Sequence, residues 1–98
     1  MRILIVDDET NIRDLMCRYM KIEGIEGVGA EHAYSAQRIL REQPFDGILV
    51  DLKMPGMDGY EFVRWVRDEG FRMPIIMMSA HGEISDAVNA MKHGVRIT

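Results

Sequence analysis

The sequence has few of the features that mark secreted, membrane-bound or disordered proteins. Its 98 residues include one cysteine, Cys17, and three prolines, so no disulfide can form within the chain. No apolar stretch approaches the roughly 18 residues of a membrane span. Asp7 and Asp8 interrupt the N-terminal apolar run too early for a signal peptide. We therefore expect a cytoplasmic protein that does not associate with membranes.

An excess of basic charge is also missing. The formal net charge is -4, with acids and bases interspersed along the chain, whereas a nucleic-acid surface needs a basic patch. The length allows one domain, residues 1–98. The hydrophobic content of 47% suits a globular core. The nine methionines are more typical of adaptable core filling than of a binding groove.

Short apolar runs alternate with helical patterns, which predicts βα units and a parallel sheet in an α/β fold. The predicted strands are 2–6, 26–30, 47–51 and 74–78. The predicted helices are 10–23, 34–42, 60–68 and 83–93, and residues 95–98 are typical of the start of a fifth strand. Gly27 and Gly29 weaken the second strand and favour an edge position for it.

Acids and a hydroxyl stand where the predicted strands end. Asp7 and Asp8 follow the first strand, Asp51 ends the third, and Ser79 follows the fourth. In a parallel sheet, ligand sites lie outside the carboxyl ends of the strands, so we expect these side chains to converge. Three neighbouring carboxylates repel one another unless a hard cation neutralises them, and Mg²⁺ prefers oxygen ligands. One of the acids could also serve as a nucleophile.

Simpler interpretations of the same residues remain open. Asp7 and Asp8 could cap the first helix, because acids favour helix N-termini. Asp51 could be an ordinary acid at a strand end, followed by a turn at 54–56. Lys53 and His81 each lie two residues beyond a candidate site residue and could be plain loop residues. The other histidines, His32 and His93, have no partners at ligand spacing and are predicted to lie on the surface.

Three blocks of the sequence resemble the receiver domain of two-component response regulators. They are ILIVDDE at 3–9, DGILVDLKMPGMDG at 46–59 and PIIMMSA at 74–80, in the order and spacing of the family. The resemblance implies a flavodoxin-like fold with strand order 2-1-3-4-5. An aspartate followed three residues later by Met-Pro-Gly-Met-Asp-Gly is its most specific signal.

The resemblance also implies a role for each candidate residue. Asp51 is similar to the family's phospho-acceptor, and Asp7, Asp8, Asp51 and the backbone carbonyl of Lys53 to its Mg²⁺ ligands. Ser79 resembles the switch hydroxyl, and Lys53 and His81 occupy positions that tune the lifetime of the acyl phosphate. The implied partners are a sensor histidine kinase and a downstream output domain or protein. Such a domain promotes its own phosphorylation and dephosphorylation and is not a stand-alone enzyme.

The family pattern continues beyond Gly94 with a fifth strand, which carries a phosphoryl-pairing lysine before a proline, and a fifth helix. This sequence ends at Thr98, so we expect the domain to lack that unit and its fourth strand to form a sheet edge. An apolar edge of this kind favours a homo-oligomer that pairs through strand four.

Two other functions remain open. The alternative function is a truncated receiver that acts as a dimerisation or interaction module without phosphorylation. A phosphohydrolase with an aspartyl intermediate fits less well, because Lys53 stands where such enzymes carry a second acid.

Overall fold

A computed structural model describes residues 1–78 of the chain. The predictions for helix 83–93, strand 95–98, Ser79, His81 and His93 lie outside these described residues. The strands are β1 (Arg2–Val6), β2 (Glu26–Ala30), β3 (Gly47–Asp51) and β4 (Ile75–Met78), and the helices are α1 (Thr10–Ile22), α2 (Ala33–Glu42) and α3 (Gly59–Asp68). Each predicted element within residues 1–78 is therefore confirmed, with bounds that differ by at most one residue.

The four strands form one parallel sheet in the order β2-β1-β3-β4. This order confirms the predicted flavodoxin-like arrangement. In the register, Val6 of β1 lies beside Ala30 of β2 and Val50 of β3. The carboxyl ends of the strands therefore meet along one rim of the sheet, where a binding site is expected.

The sheet separates two apolar clusters, which explains why its central strands are continuous apolar runs. Leu4, Val6 and Val50 belong to the cluster beneath α2 and α3. Ile5 and Leu49 belong to the cluster on the opposite face, together with Met16 and Met20 of α1. Full burial on both faces anchors β1 and β3 firmly, so the residues that follow them leave the sheet from fixed positions.

The apolar side chains of α1 divide between the core and the surface. Met16 and Met20 are fully buried, whereas Leu15 and Tyr19, which share the same helical periodicity, are 45% and 40% exposed. Periodicity predicted the helix but could not separate the side that faces the sheet from the adjoining side.

His32 is not the plain surface residue predicted from the sequence, because it is half-buried and caps α2. Its ring Nδ1 accepts a hydrogen bond from the backbone N–H of Ser35 at 3.1 Å. The Ser35 hydroxyl in turn lies 3.3 Å from the backbone N–H of His32 and accepts from it. This reciprocal pair is a capping box that satisfies donors at the helix N-terminus, and it uses an imidazole where a carboxylate or hydroxyl is usual.

Helix α3 is held at both ends. The Asp58 carboxylate accepts from the backbone N–H of Glu61 at 2.9 Å and caps the helix N-terminus. Near the other end, Trp65 packs against Phe62 and Phe71, and the Arg41 guanidinium lies 5.2 Å from its ring centre. Trp65 is thus a packing residue. Within residues 1–78, no helix has the length and apolarity needed to cross a bilayer.

Cys17 of α1 is half-buried against β2, which gives a testable pH dependence. Burial, and secondarily the charge of Asp14, raises the pKa of the Cys17 thiol. The folded chain therefore holds the thiol proton more tightly than the unfolded chain does. The contribution of the protonated thiol to the free energy of unfolding should be fully present below the ordinary thiol pKa. It should fall as the pH rises towards the raised pKa.

We accordingly expect iodoacetamide to alkylate Cys17 more slowly in the folded chain than in the urea-unfolded chain at the same mildly alkaline pH. The single cysteine makes the mass-spectrometric readout unambiguous. Equal rates in the two states would contradict the expectation.

Candidate metal centre

Asp7 stands directly after β1 and is fully buried. Its backbone N–H donates to the carbonyl of Ala30 at 3.1 Å, which extends the pairing with β2 by one residue. Its carboxylate Oδ1 accepts from the backbone N–H of Glu9 at 2.9 Å. Asp7 is thus held at two points, through its own backbone N–H and through its carboxylate, as a ligand in a rigid site needs to be.

Asp51 is the last residue of β3 and is 5% exposed. Its carboxylate Oδ1 accepts from the backbone N–H of Lys53 at 3.1 Å, and Met78 of β4 is its partner in the register. The Lys53 side chain is exposed. Asp51 therefore combines a fixed carboxylate with access from the rim of the sheet.

Asp7, Asp8 and Asp51 form an acidic cluster whose carboxylate oxygens, one from each residue, lie within 4.8 Å of one another. Asp8 is exposed, whereas the other two are buried. The predicted convergence of these three acids on one rim is therefore observed. Ser79 and His81 lie outside the described residues, so their predicted places beside this acidic cluster remain predictions.

The donor set of the acidic cluster suits Mg²⁺. All three side chains offer oxygen, the ligand atom that Mg²⁺ prefers. One oxygen from each carboxylate lies within 4.8 Å of the others, so a single cation can be approached by all three. The open side at Asp8 also leaves room for the waters that Mg²⁺ retains. The residues present therefore fit the ion.

The capping interpretation of Asp7 and Asp8 is not supported by the geometry. The N-cap residue of α1 is Glu9, and its side chain makes no capping hydrogen bond. Asp7 bonds the amide of this N-cap residue itself, which closes an Asx-type turn instead of satisfying the first helical turn. The paired acids thus shape the loop that leads into α1.

Two residues that support the acidic cluster were missed by the sequence reasoning. Gly59 begins α3 against the end of β3, and a Cβ there would lie 2.6 Å from the Asp51 carbonyl oxygen and 2.7 Å from the Cα of Leu52. Arg13 donates to the Asp7 carbonyl at 2.7 Å. The Asp-Gly pair at 58–59 could have indicated the glycine, but no sequence spacing links Arg13 to Asp7.

These features define a receiver-like class of protein, with an acidic cluster at the carboxyl edge of a parallel sheet ordered 2-1-3-4. The model of the response regulator receiver domain family matches residues 3–97. The chain belongs to this family, as the resemblance in the sequence implied.

Known proteins similar to the chain agree with this assignment. The regulatory protein AtoC of Escherichia coli strain K12 is 36% identical over 93 residues, which are 95% of this chain and 20% of AtoC. The response regulator TrrA of Thermotoga maritima, solved in complex with Mg²⁺ and BeF, is 31% identical with a TM-score of 0.75, and the match covers 90% of this chain and 77% of TrrA. TrrA in complex with the histidine kinase ThkA is also similar, at 35% identity and a TM-score of 0.76, over 81% of this chain and 68% of that one.

The chain spans about a fifth of the length of the curated relatives that it matches.

Proposed function

We propose that this receiver domain accepts a phosphoryl group on Asp51 from a histidine kinase, or from a small donor such as acetyl phosphate, in a Mg²⁺-dependent reaction. The observation that carries the proposal is the acidic cluster, in which buried Asp51 and Asp7 and exposed Asp8 lie within 4.8 Å. Asp51 ends a fully buried strand, so its carboxylate meets a donor with little loss of conformational entropy.

The proposed reaction is a single displacement at phosphorus. An oxygen of the Asp51 carboxylate forms a bond to phosphorus while the bond from phosphorus to the donor breaks. The donor leaves with the bonding electron pair, as acetate from acetyl phosphate or, from a phosphohistidine, as an imidazole ring that takes up one proton from solvent. A carboxylate is a weak nucleophile, so positioning and charge neutralisation supply most of the rate.

Asp7, Asp8, Asp51 and the backbone carbonyl of Lys53 are the proposed holders of the metal ion. When bound, Mg²⁺ neutralises charge on the phosphoryl oxygens and on the carboxylates. The backbone N–H of Lys53 donates to the Asp51 carboxylate at 3.1 Å and so holds it in place at the end of β3. Ser79, which directly follows β4 in the sequence, is the proposed hydroxyl partner of the phosphoryl group, and Lys53 and His81 are the proposed modulators of its lifetime.

The proposed partners follow from similar proteins. A sensor histidine kinase is the proposed physiological donor, supported by the complex of TrrA with ThkA. A downstream output domain or protein is the proposed receiver of the signal, supported by the greater length of AtoC. The interspersed charge of the chain supports no nucleic-acid surface of its own. A reducing cytoplasmic setting fits the single thiol.

Acetyl phosphate and Mg²⁺ test the proposal directly. We expect intact-mass measurement to show one added phosphoryl group, which hydroxylamine removes because it cleaves acyl phosphates. D51N should acquire none, because an amide is not a nucleophile here. The matched control D68N changes an exposed aspartate at the end of α3 and should be labelled like the wild type.

A wild-type chain that gains no mass at saturating Mg²⁺ would contradict phosphoryl acceptance and favour the alternative, an interaction module without phosphorylation. That alternative rests on self-association through β4, which is one of the two edge strands of the sheet within residues 1–78. The β4 side chains Ile75 and Met78 are buried, so pairing would use the backbone of the strand. Sedimentation distinguishes the two: an interaction module stays oligomeric whether or not a phosphoryl donor is present.

A further inference from the structure

Arg13 of α1 reaches back and contacts the loop between β1 and α1 at two points and the first residue of the helix at a third. Its guanidinium Nη1 donates to the Asp7 carbonyl at 2.7 Å, and Nη2 donates to the Thr10 hydroxyl at 3.2 Å. Its backbone N–H donates to the Glu9 carbonyl at 3.0 Å, which closes the first turn of the helix. One residue therefore joins the segment that carries both acids to the rigid helix that follows it.

The bond to the Asp7 carbonyl controls the direction of two acids because of peptide geometry. A carbonyl oxygen shares a plane with the next backbone nitrogen and Cα, so the position of the Asp7 oxygen sets the orientation of the Asp7–Asp8 peptide. Asp7 is also held through its N–H and its carboxylate. The same peptide plane fixes where the Asp8 Cα lies, and the exposed Asp8 side chain extends from that point.

The stem of Arg13 lies beside a glycine in β2. A Cβ on Gly29 would lie 3.4 Å from the Cδ of Arg13 and 3.7 Å from its Nε. These are ordinary van der Waals distances, so the stem of Arg13 packs closely beside β2 at Gly29. The planar fork then serves two acceptors at once, which a lysine ammonium cannot reproduce in the same geometry.

We propose that Arg13 is a positioning residue for the metal centre: its bond to the Asp7 carbonyl orients the Asp7–Asp8 peptide and thereby raises the affinity of the acidic cluster for a divalent cation. This inference rests on the proposed function. Residues that orient metal ligands typically contribute about 10–100-fold in metal affinity.

The sign of the effect separates positioning from simple electrostatics. Arg13 carries a positive charge beside a site for a cation, so removal of that charge alone should tighten Mg²⁺ binding. Removal of a positioning bond should weaken it. A lysine keeps the positive charge but lacks the planar guanidinium with its two donor nitrogens. Simple electrostatics therefore predicts that R13K binds Mg²⁺ as tightly as the wild type, whereas positioning predicts weaker binding.

The experiment is a titration with Mg²⁺ alone, followed through the backbone amide signals of Asp8 and Lys53 in ¹H–¹⁵N spectra. We expect R13Q to bind Mg²⁺ about ten-fold more weakly than the wild type and R13K to lie between them. The matched control R18Q removes an exposed arginine from the same helix and should change the affinity less than about two-fold. All titrations are run at a temperature well below the thermal unfolding midpoint of each variant. R13K carries the test if R13Q does not fold.

The outcomes distinguish the two proposals. A wild-type chain whose amides do not respond to Mg²⁺ overturns the proposed function and this inference together. A wild type that binds Mg²⁺, with R13Q or R13K binding equally or more tightly, overturns the role of Arg13 and leaves the proposed function standing.

Discussion

The G59A variant is expected to lose about 3 kcal/mol of unfolding free energy and most of its affinity for Mg²⁺. The added methyl group would lie 2.6 Å from the Asp51 carbonyl oxygen and 2.7 Å from the Cα of Leu52. These obstacles are backbone atoms of a buried strand end and cannot rotate away as a flexible side chain could. Helix α3 must therefore shift from β3, and the backbone that carries Asp51 must shift with it.

The glycine at position 70 supplies a matched control. Gly70 has a φ of +89° and a Cβ there meets nothing within 4 Å, so G70A should cost only the strain of a left-handed residue, about 1 kcal/mol. It should leave Mg²⁺ affinity unchanged. Urea unfolding with and without Mg²⁺ measures both quantities. A G59A chain as stable as G70A would show that α3 moves away from β3 at little cost, contrary to the close packing described above.

The D7N variant is expected to be more stable than the wild type without metal and unable to gain stability from Mg²⁺. Unit charges 4 to 5 Å apart near a protein surface interact by roughly 3–4 kcal/mol at an effective dielectric constant near 20. The Asp7 carboxylate lies within 4.8 Å of two others, and an amide removes this repulsion. The amide oxygen can still accept the bond from Glu9, so we expect a gain of about 2 kcal/mol.

The measurement is urea unfolding across a range of Mg²⁺ concentrations. Ligand that binds only the folded chain raises its stability with concentration, so the wild type should gain stability steadily while D7N stays level. The control D8N changes an exposed acid, so it should gain less stability without metal but should also lose part of the response to Mg²⁺. A D7N chain less stable than the wild type without metal would show that the hydrogen bonds of the buried carboxylate outweigh the repulsion.

Local patterns predicted the elements and the acidic cluster well. The central strands β1 and β3 are buried on both faces, so each is a continuous apolar run with clear ends. Asp7 and Asp51 mark those ends, and parallel strands bring their carboxyl ends to one rim. The convergence of three acids could therefore be predicted before any coordinate was known.

The support around the acidic cluster could not be predicted in the same way. The bond from Arg13 to Asp7 joins a helix to the loop before it, and the stem of Arg13 packs beside Gly29 in another strand. The exposure of Leu15 and Tyr19 likewise depends on which side of α1 meets the sheet. His32 and Ser35 cap α2 as the N-cap and N3 residues of a capping box. Their spacing is visible in the sequence, but histidine is an uncommon N-cap residue.

The order of apolar runs and strand-end acids in this sequence was sufficient to specify a parallel sheet and its candidate metal ligands. Both follow from short stretches of sequence, because each buried strand is a continuous apolar run and an acid marks its carboxyl end. The tertiary structure alone decided how those ligands are aimed. Contacts such as those of Arg13 with Asp7 and of Gly59 with Asp51 join segments whose distance and orientation arise only when the chain has packed.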